Sequence, residues 1–219
     1  MKSVLFALVL CSLIAASFAT YGVDVSQETL PSAWSCLKQN GYSFGIVRAY
    51  LSIGQVDSVG PHTIYNAWAG GMSHVDVYMF PCPQCGKSAA TQVQEAVQNL
   101  RNYNCQYGMF WFDIEGSQYW NDVASNRAWL TEAVNQALSM GQTVGIYTSQ
   151  YQWSSIMGSW TGASRFPLWY AHYDNNPSFS DFSPFGGWNQ PAIKQYVATP
   201  SCAALASTRT STLERSRGS

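Results

Sequence analysis

The stretch WFDIEG, from Trp111 to Gly116, decides the fold, because it places two carboxyl groups at the end of an apolar run that begins at Met109. Aromatic and β-branched residues in an unbroken run predict a strand that is buried on both faces. Side chains alternate along a strand, so Trp111, Asp113 and Glu115 share one face, while the apolar residues between them take the other. The two acids therefore point in the same direction.

The two carboxyl groups are expected to influence each other. Because a strand rises about 3.3 Å per residue, the α-carbons of Asp113 and Glu115 should lie roughly 6–7 Å apart. At that separation each charge affects its neighbour, and the aromatic surroundings disfavour the ionised form. One carboxyl group is therefore expected to keep its proton beside an ionised one, an arrangement that is typical of glycosidases. The alternative is a strand end that reaches solvent, where acids are common.

The first 19 residues have the pattern of a secretory signal peptide. One lysine precedes an apolar stretch from Val4 to Leu10, and small residues follow as far as Ala19. This stretch is too short for a membrane anchor, and the mature chain should begin near Thr20. We therefore expect a secreted protein that works outside the cell, in a gut lumen or in a lysosome-like compartment.

Composition limits the classes of partner. The formal net charge is −1, and aromatic residues, at 15%, outnumber charged residues, at 11%. This balance suggests neither a nucleic acid nor a membrane as partner, and it suits carbohydrate better. Roughly 200 residues follow the leader, which is enough for one domain. We expect that domain to be a monomer.

Five cysteines follow the leader, namely Cys36, Cys82, Cys85, Cys105 and Cys202. In a secreted chain they should be oxidised, but five thiols cannot all pair internally. The CPQC motif at 82–85 is interpreted as a structural disulfide cluster, because neither a second cysteine pair nor a histidine at ligand spacing accompanies it. The pairing stays open, and Cys202 is the candidate for the remaining thiol. Neither a metal nor a cofactor is predicted.

Strand and helix patterns alternate along the chain. Strands are predicted at 21–25, 44–50, 74–80, 109–115, 143–149, 167–173 and 192–197, and helices at 30–39, 61–69, 88–102 and 125–140. Repeated strand–helix units with buried strands require a parallel sheet. No glycine-rich phosphate loop follows the first strand, which favours a closed barrel over an open nucleotide-binding sheet.

Polar and aromatic side chains recur where the predicted strands end. They are Asp24, Arg48, Tyr78, Asp113, Glu115, Tyr147, Trp169, Tyr173 and Gln195. In barrels the carboxyl ends of the strands meet on one rim, which carries the working residues. This convergence favours a functional interpretation of the two neighbouring acids.

Six sequence blocks in this order resemble the family-25 glycoside hydrolases, the Chalaropsis-type lysozymes, and are most similar to the secreted nematode branch. The blocks are GVDVSQ (22–27), FGIVRAY (44–50), WFDIEG (111–116), GIYTS (145–149), LWYAHY (168–173) and IKQY (193–196). The resemblance implies an α/β fold, an irregular, flattened TIM-like β/α barrel, over residues 20–197. It also implies a lysozyme that hydrolyses the β-1,4 bond between N-acetylmuramic acid and N-acetylglucosamine in bacterial peptidoglycan, for defence or digestion.

The resemblance also implies catalytic roles. Glu115 corresponds to the proton donor, Asp113 to its neighbouring carboxylate and Asp24 to the acid of the first strand. Glu115 is expected to have a raised pKa, whereas Asp113 is expected to stay ionised, either as a nucleophile or to steer the substrate's own N-acetyl group. Asp24 should hold a hydrogen bond in the floor of the site, with a buried pair between Asp24 and Arg48 as the alternative.

Side chains of the rim are expected to bind the sugar. The predicted substrate-binding residues are Tyr78, Tyr147, Trp169, Tyr173, Gln195 and Arg48. Aromatic rings with polar edges suit sugar rings, although ordinary barrel core is the alternative for each of them. His172 falls on the opposite face of its strand and is expected to be a core histidine.

The chain departs from the family after the seventh strand. Residues 198–219 contain three arginines, many serines and threonines and no aspartate, whereas the family continues into an eighth strand with an acid on the rim. We therefore expect a disordered tail and a barrel that lacks its last strand. The alternative function is a catalytically weak or inactive, secreted glycan-binding or immune-modulating protein with the same fold. A chitinase-type barrel would need an acid at position 111, where this chain has Trp111.

Overall fold

A computed structural model describes residues 20–198 and 210–215. Its strands are β1 (Thr20–Val25), β2 (Tyr42–Leu51), β3 (Gln55–Val56), β4 (His74–Met79), β5 (Met109–Asp113), β6 (Thr143–Thr148), β7 (Leu168–Ala171), β8 (Ile193–Val197) and β9 (Thr210–Arg215). Its α-helices are α1 (Pro31–Gln39), α2 (Gly60–Ala69), α3 (Ala89–Asn102), α4 (Val123–Ser139) and α5 (Gln150–Met157). The predicted signal peptide lies outside the described residues.

The strands form a curled, barrel-like sheet. Parallel pairing runs from β1 through β2, β4, β5, β6 and β7 to β8, and β9 lies antiparallel between β8 and β1. The short β3 pairs with the end of β2 outside this ring. The predicted α/β barrel is confirmed, and the carboxyl ends of its seven parallel strands share one rim.

The prediction that no strand follows residue 197 is wrong for residues 210–215. This segment pairs over six residues with β1 and also pairs with β8. Without it, the facing edges of β1 and β8 would keep unpaired N–H and C=O groups. Backbone hydrogen bonding therefore stabilises this strand, although its sequence has no apolar pattern that predicts a strand. The Arg215 guanidinium pairs with the buried Asp76 and lies 4.7 Å from the centre of the Phe44 ring.

Alternation along β5 separates two apolar layers, as the sequence predicts. Phe110 and Phe112 belong to the layer between the sheet and the helices, together with Ile114. Trp111 lies in the barrel interior, which is filled by Phe44, Ile46, Tyr78, Trp111, Tyr147, Trp169 and Ile193. The inward face of β5 therefore runs from a packed core to the two acids at the rim.

Polar caps fix where three of the helices begin. The side chain of Ser88 caps α3, that of Asp122 caps α4 and that of Ser149 caps α5, each by accepting a hydrogen bond from a backbone N–H of the first turn. Helix α5 is not predicted, because eight residues are too few for a clear helical period. Within the described ranges, no helix has the length and apolar character needed to cross a membrane.

Cys82 and Cys85 form a disulfide, as the structural interpretation of the CPQC motif expects. The buried Gln92 braces this loop, because its Oε1 accepts from the Cys82 N–H (3.0 Å) and its Nε2 donates to the Cys82 carbonyl (2.7 Å). Cys36 is also disulfide-bonded, and Cys105 is the free thiol in the described part of the chain. The prediction for Cys202 lies outside the described residues.

Candidate active site

Two acids lie at the rim where β5 ends, and the neighbouring strand fixes the backbone between them. The N–H of Ile114 donates to the Tyr147 carbonyl (2.8 Å), and the Thr148 hydroxyl donates to the Ile114 carbonyl (2.8 Å). Asp113 is 5% exposed, and its Oδ1 is buried without a hydrogen-bond partner among the described residues. Glu115 lines an open cleft. One acid is therefore enclosed, and the other can be reached by a ligand.

Burial raises the pKa of both carboxyl groups. For Asp113 the loss of water is the largest cause, and the charges of Glu115 and Asp24 raise its pKa further against the opposing charge of Arg48. For Glu115 burial also dominates, while the polar hydroxyl of the neighbouring Tyr147 lowers the pKa. The raised pKa predicted for Glu115 is confirmed. The ionised state expected for Asp113 stays a prediction, which burial and the neighbouring acids oppose, and its buried Oδ1 has no donor among the described residues.

Gln195 connects Asp24 to the rest of the site. Its Nε2 donates to Asp24 Oδ1 (2.9 Å), and its Oε1 accepts from the hydroxyl groups of Tyr147 (2.7 Å) and Tyr173 (2.6 Å). Burial, followed by the charge of Glu115, raises the pKa of Tyr147, so that its hydroxyl keeps the proton that it donates. The structure thus brings together residues that are far apart in the sequence, as expected for side chains at the carboxyl ends of barrel strands.

Arg48 lies on the β2 side of this network. Its Nε pairs with Asp57 Oδ2 at 2.7 Å, and its Nη2 donates to the Ser26 carbonyl. Asp57 is buried, and sequence reasoning missed it because it lies beyond the predicted strand. The position of Asp57 shortly before α2 was the available signal, since its Oδ1 also accepts from the Val59 N–H (3.2 Å). Arg48 is therefore held by a carboxylate at the rim, where its charge reaches Asp113.

Tyr78 and Trp169 lie deeper than a sugar-binding role requires. Trp169 is 2% exposed, and its ring packs against Tyr78 (6.1 Å between centroids), Trp111 (5.9 Å) and Tyr147 (4.4 Å). These are the contacts of a filled barrel interior. A direct contact of Tyr78 or Trp169 with substrate therefore stays a prediction, whereas Tyr173 is 52% exposed at the cleft.

The open cleft has a volume of about 520 Å³ and lies on the β6 and β7 side of Glu115. Helix α5 contributes Tyr151 and Gln152 to its lining. Gln152 Oε1 accepts from the Gly116 N–H at 3.1 Å, so this helix is tied to the residue that follows Glu115. Both residues were missed because no helix is predicted between these two strands.

His172 is exposed and lies at the cleft, so the prediction of a core histidine is wrong. Strand β7 ends at Ala171, so the alternation of faces no longer applies to His172. Its Nδ1 contacts Asp181 Oδ2, and Tyr170 also donates to that oxygen (3.1 Å).

A cluster of His172, Asp174 and Asp181 brings its ligand atoms within 4.8 Å of one another. The fully buried Lys194 already supplies a cation there, with its Nζ 2.8 Å from Asp174 Oδ2 and 2.7 Å from Asp181 Oδ1. Burial opposes ionisation of Asp181, but hydrogen bonds from Lys194 and His172 lower its pKa to about 2. The cluster therefore resembles an ion-pair network more than a metal site.

Comparisons with known proteins agree with this geometry. A family model described as "Lys-1: Lysozyme-like protein 1" matches residues 15–196. The Dictyostelium discoideum protein named probable GH family 25 lysozyme 2 is 52% identical over 181 residues, which cover 83% of this chain and 85% of that protein. Lysozyme-like protein 5 of Caenorhabditis elegans is 40% identical over 195 residues, which cover 88% and 89%. A family GH25 lysozyme from Aspergillus fumigatus shares the fold, with a TM-score of 0.72 at 18% identity over 92% of this chain and 95% of that chain.

Proposed function

Because the chain belongs to the family-25 glycoside hydrolases, we propose that it is a muramidase that cleaves the β-1,4 bond between N-acetylmuramic acid and N-acetylglucosamine in bacterial peptidoglycan. The observation that carries this proposal is a pair of interacting acids beside an open cleft, one of them, Asp113, buried and the other, Glu115, half-buried at the cleft wall. Such a pair can supply a proton and a charge on opposite sides of one reaction step. The lysozymes among its relatives support the same substrate class.

In the proposed reaction Glu115 acts from the cleft wall. Its proton passes to the glycosidic oxygen as the bond between that oxygen and the anomeric carbon breaks. Water then attacks the anomeric carbon as the bond from that carbon to the Asp113 carboxylate or to the acetyl oxygen breaks, and one proton of the water passes to Glu115. The raised pKa of Glu115 suits this exchange, because the acid must be protonated at the start.

Asp113 acts on the same carbon from the enclosed side. Its free Oδ1 is suited to accept a hydrogen bond from the N–H of the substrate's N-acetyl group, which would stabilise the ionised carboxylate once substrate has bound. Asp113 then either attacks the anomeric carbon or orients the acetyl oxygen to do so. Asp24 and Gln195 hold the floor of the site through their hydrogen bond.

The first test is the Glu115→Gln variant. We expect it to clear a peptidoglycan suspension about 10²–10⁴-fold more slowly, because general acid catalysis contributes that factor. Its circular dichroism and melting temperature should stay close to those of the wild type. Glu132→Gln, which changes an exposed acid on α4, is the matched control and should clear normally. Unchanged clearing by Glu115→Gln would rule out the proposed role of this residue.

A second candidate function is binding of peptidoglycan without turnover. It is favoured by the absence of aspartate from residues 198–219. In the family-25 glycoside hydrolases, the corresponding part of the chain is expected to carry a further acid on the rim. The two functions differ in one pair of measurements, retention on insoluble peptidoglycan and release of reducing ends. Retention without new reducing ends would select the second candidate.

We further propose that the protein is secreted and serves defence or digestion. Support comes from the leader pattern of residues 1–19 and from the Cys82–Cys85 disulfide, which suits an oxidising compartment. The intact mass of the protein from the medium of cells that express the full chain tests this. A mature start near Thr20 is expected, and retention of the whole chain inside the cells would contradict secretion.

A further inference from the structure

Two tyrosine rings face the cleft beside Glu115. Tyr151 is 76% exposed and Tyr173 is 52% exposed, and both line the same cleft. The aromatic residues that fill the barrel interior are almost fully buried. The cleft walls therefore offer ring faces that the packed interior does not.

The wall that carries Tyr173 is held by polar contacts. The Tyr173 hydroxyl donates to Gln195 Oε1 (2.6 Å). Behind this wall the fully buried Lys194 donates to Asp174 Oδ2 (2.8 Å), to Asp181 Oδ1 (2.7 Å) and to the Ser178 carbonyl (2.9 Å). One ammonium group thus fastens the loop after β7, and an ordered ring loses less entropy when a ligand binds.

The helix that carries Tyr151 is hydrogen-bonded to the segment that carries Glu115. Tyr151 is the second residue of α5, and the next residue, Gln152, accepts from the N–H of Gly116 at 3.1 Å. Because Gly116 directly follows Glu115, the helix that presents the Tyr151 ring is attached to the segment that presents the acid. A ligand on this ring would lie at a defined position relative to Glu115.

The charges around the cleft favour a neutral ligand. Among the described residues that line it, the ionisable side chains apart from tyrosine are Glu115, His172 and Asp181, and none is a lysine or arginine. The charge of Lys194 is engaged by Asp174 and Asp181. Since Glu115 carries its proton in the proposed reaction and Asp181 pairs with Lys194, the described lining offers no unpaired cation to a lactyl or peptide carboxylate, whereas an uncharged sugar needs no counter-charge.

We propose that Tyr151, together with Tyr173, forms a subsite for an uncharged N-acetylhexosamine ring on the β6 and β7 side of Glu115. The inference deepens the proposed function and rests on it for the role of Glu115. Tyr151 contributes its ring face, which packs against the apolar face of the sugar. Its hydroxyl is not required for this contact.

The test is binding of the N-acetylglucosamine trimer to Glu115→Gln protein by isothermal titration calorimetry. Adding Tyr151→Ala should weaken binding about tenfold, whereas Tyr151→Phe should stay within about twofold, because the ring is retained. Tyr65→Ala, which removes an exposed tyrosine on α2, is the matched control and should bind normally. Absence of trimer binding, or equal affinity in the Tyr151→Ala protein, would overturn the subsite.

Turnover of peptidoglycan separates this subsite from the proposed function. In an otherwise unchanged chain, Tyr151→Ala should raise KM more than it lowers kcat, because it removes binding and leaves the acids in place. Trimer binding that depends on Tyr151, in a protein that releases no reducing ends, would support the subsite and contradict the muramidase. Normal turnover with trimer binding that ignores Tyr151 would leave the muramidase standing and overturn the subsite.

Discussion

Asp113 places a buried oxygen, without a hydrogen-bond partner among the described residues, in the active site. A buried carboxylate oxygen without a donor destabilises a folded protein unless it is protonated or meets a ligand. This destabilising atom lies at the position that faces the reacting carbon in the proposed mechanism. An unfavourable side chain in an otherwise well-packed rim is what a functional position is expected to show.

Replacing Asp113 with Asn should stabilise the fold at neutral pH. Since folding raises the pKa of Asp113, this carboxyl favours the folded state below its ordinary pKa of 3.8 and loses that contribution as pH rises through the folded pKa. An amide cannot ionise, so Asp113→Asn should gain about 1–3 kcal/mol at pH 7 while losing activity. Thermal unfolding at pH 7 and pH 3 measures this. A lower melting temperature for the variant at pH 7 would contradict the assignment.

Tyr147→Phe should move the pH profile of the enzyme. Glu115 must be protonated to act, so activity is expected below its pKa and is lost as pH rises through it. The Tyr147 hydroxyl lowers that pKa, so its removal should shift the alkaline limb to higher pH. The profile of kcat/KM against pH, with Tyr65→Phe as control, reports the shift. An alkaline limb that stays in place would show that Tyr147 does not act on Glu115.

Backbone hydrogen bonds and an ion pair both hold strand β9 in the sheet. Its backbone pairs with β1 and β8, and its last residue, Arg215, reaches Asp76 on β4. Asp76 is fully buried, and it also accepts from the Met109 N–H (2.7 Å) and the Trp111 indole N–H (3.1 Å). Burial opposes its charge, but the partners His74 and Arg215 lower its pKa. This ion pair therefore ties the last described strand to the barrel interior.

Arg215→Ala should destabilise the protein by about 2–4 kcal/mol, because it leaves a buried carboxylate without its guanidinium partner. The folded pKa of Asp76 is lowered, so its contribution is present above the ordinary pKa and is lost as pH falls. The difference between variant and wild type in urea unfolding should therefore shrink in acid. Arg165→Ala, at an exposed arginine, should leave the midpoint unchanged. Equal midpoints for Arg215→Ala and wild type would show that the ion pair contributes nothing.

The closed ring of strands determines where the active site lies in the molecule. Seven parallel strands bring their carboxyl ends to one rim, and the antiparallel β9 completes the pairing between β8 and β1. Asp24 lies on β1 and Gln195 on β8, the two strands that β9 separates. The hydrogen bond between these residues therefore depends on how the ring closes.

A chain that ends after residue 197 should lose cooperative unfolding. Removing β9 would expose the edges of β1 and β8, and unpaired strand edges promote association. Size-exclusion chromatography and thermal unfolding should show larger species and a broad transition. A chain that lacks only residues 216–219 keeps β9 and is the control. A monomer with a wild-type transition after the longer deletion would contradict the role of β9.

Most of the barrel could be predicted because local pattern and tertiary role agree there. The inward and outward alternation around Trp111 follows from strand geometry alone, and it correctly places Asp113 beside a packed interior. Helix α5 escaped prediction because eight residues carry too little periodicity. Because this helix was not predicted, the position of Tyr151 and Gln152 at the cleft was not predicted either. Strand β9 was missed because its stability comes from the pairing groups of its neighbours.

The amino-acid order alone established the strand-and-helix alternation, the shared direction of the two acids and the family. These depend on periodicity and on short motifs, which are properties of neighbouring residues. Only the tertiary structure decided that burial and two neighbouring acids raise the pKa of Asp113, that Arg48 pairs with Asp57 and that Lys194 pairs with Asp174 and Asp181. Each of these depends on burial and on contacts between residues distant in sequence, which local pattern does not encode.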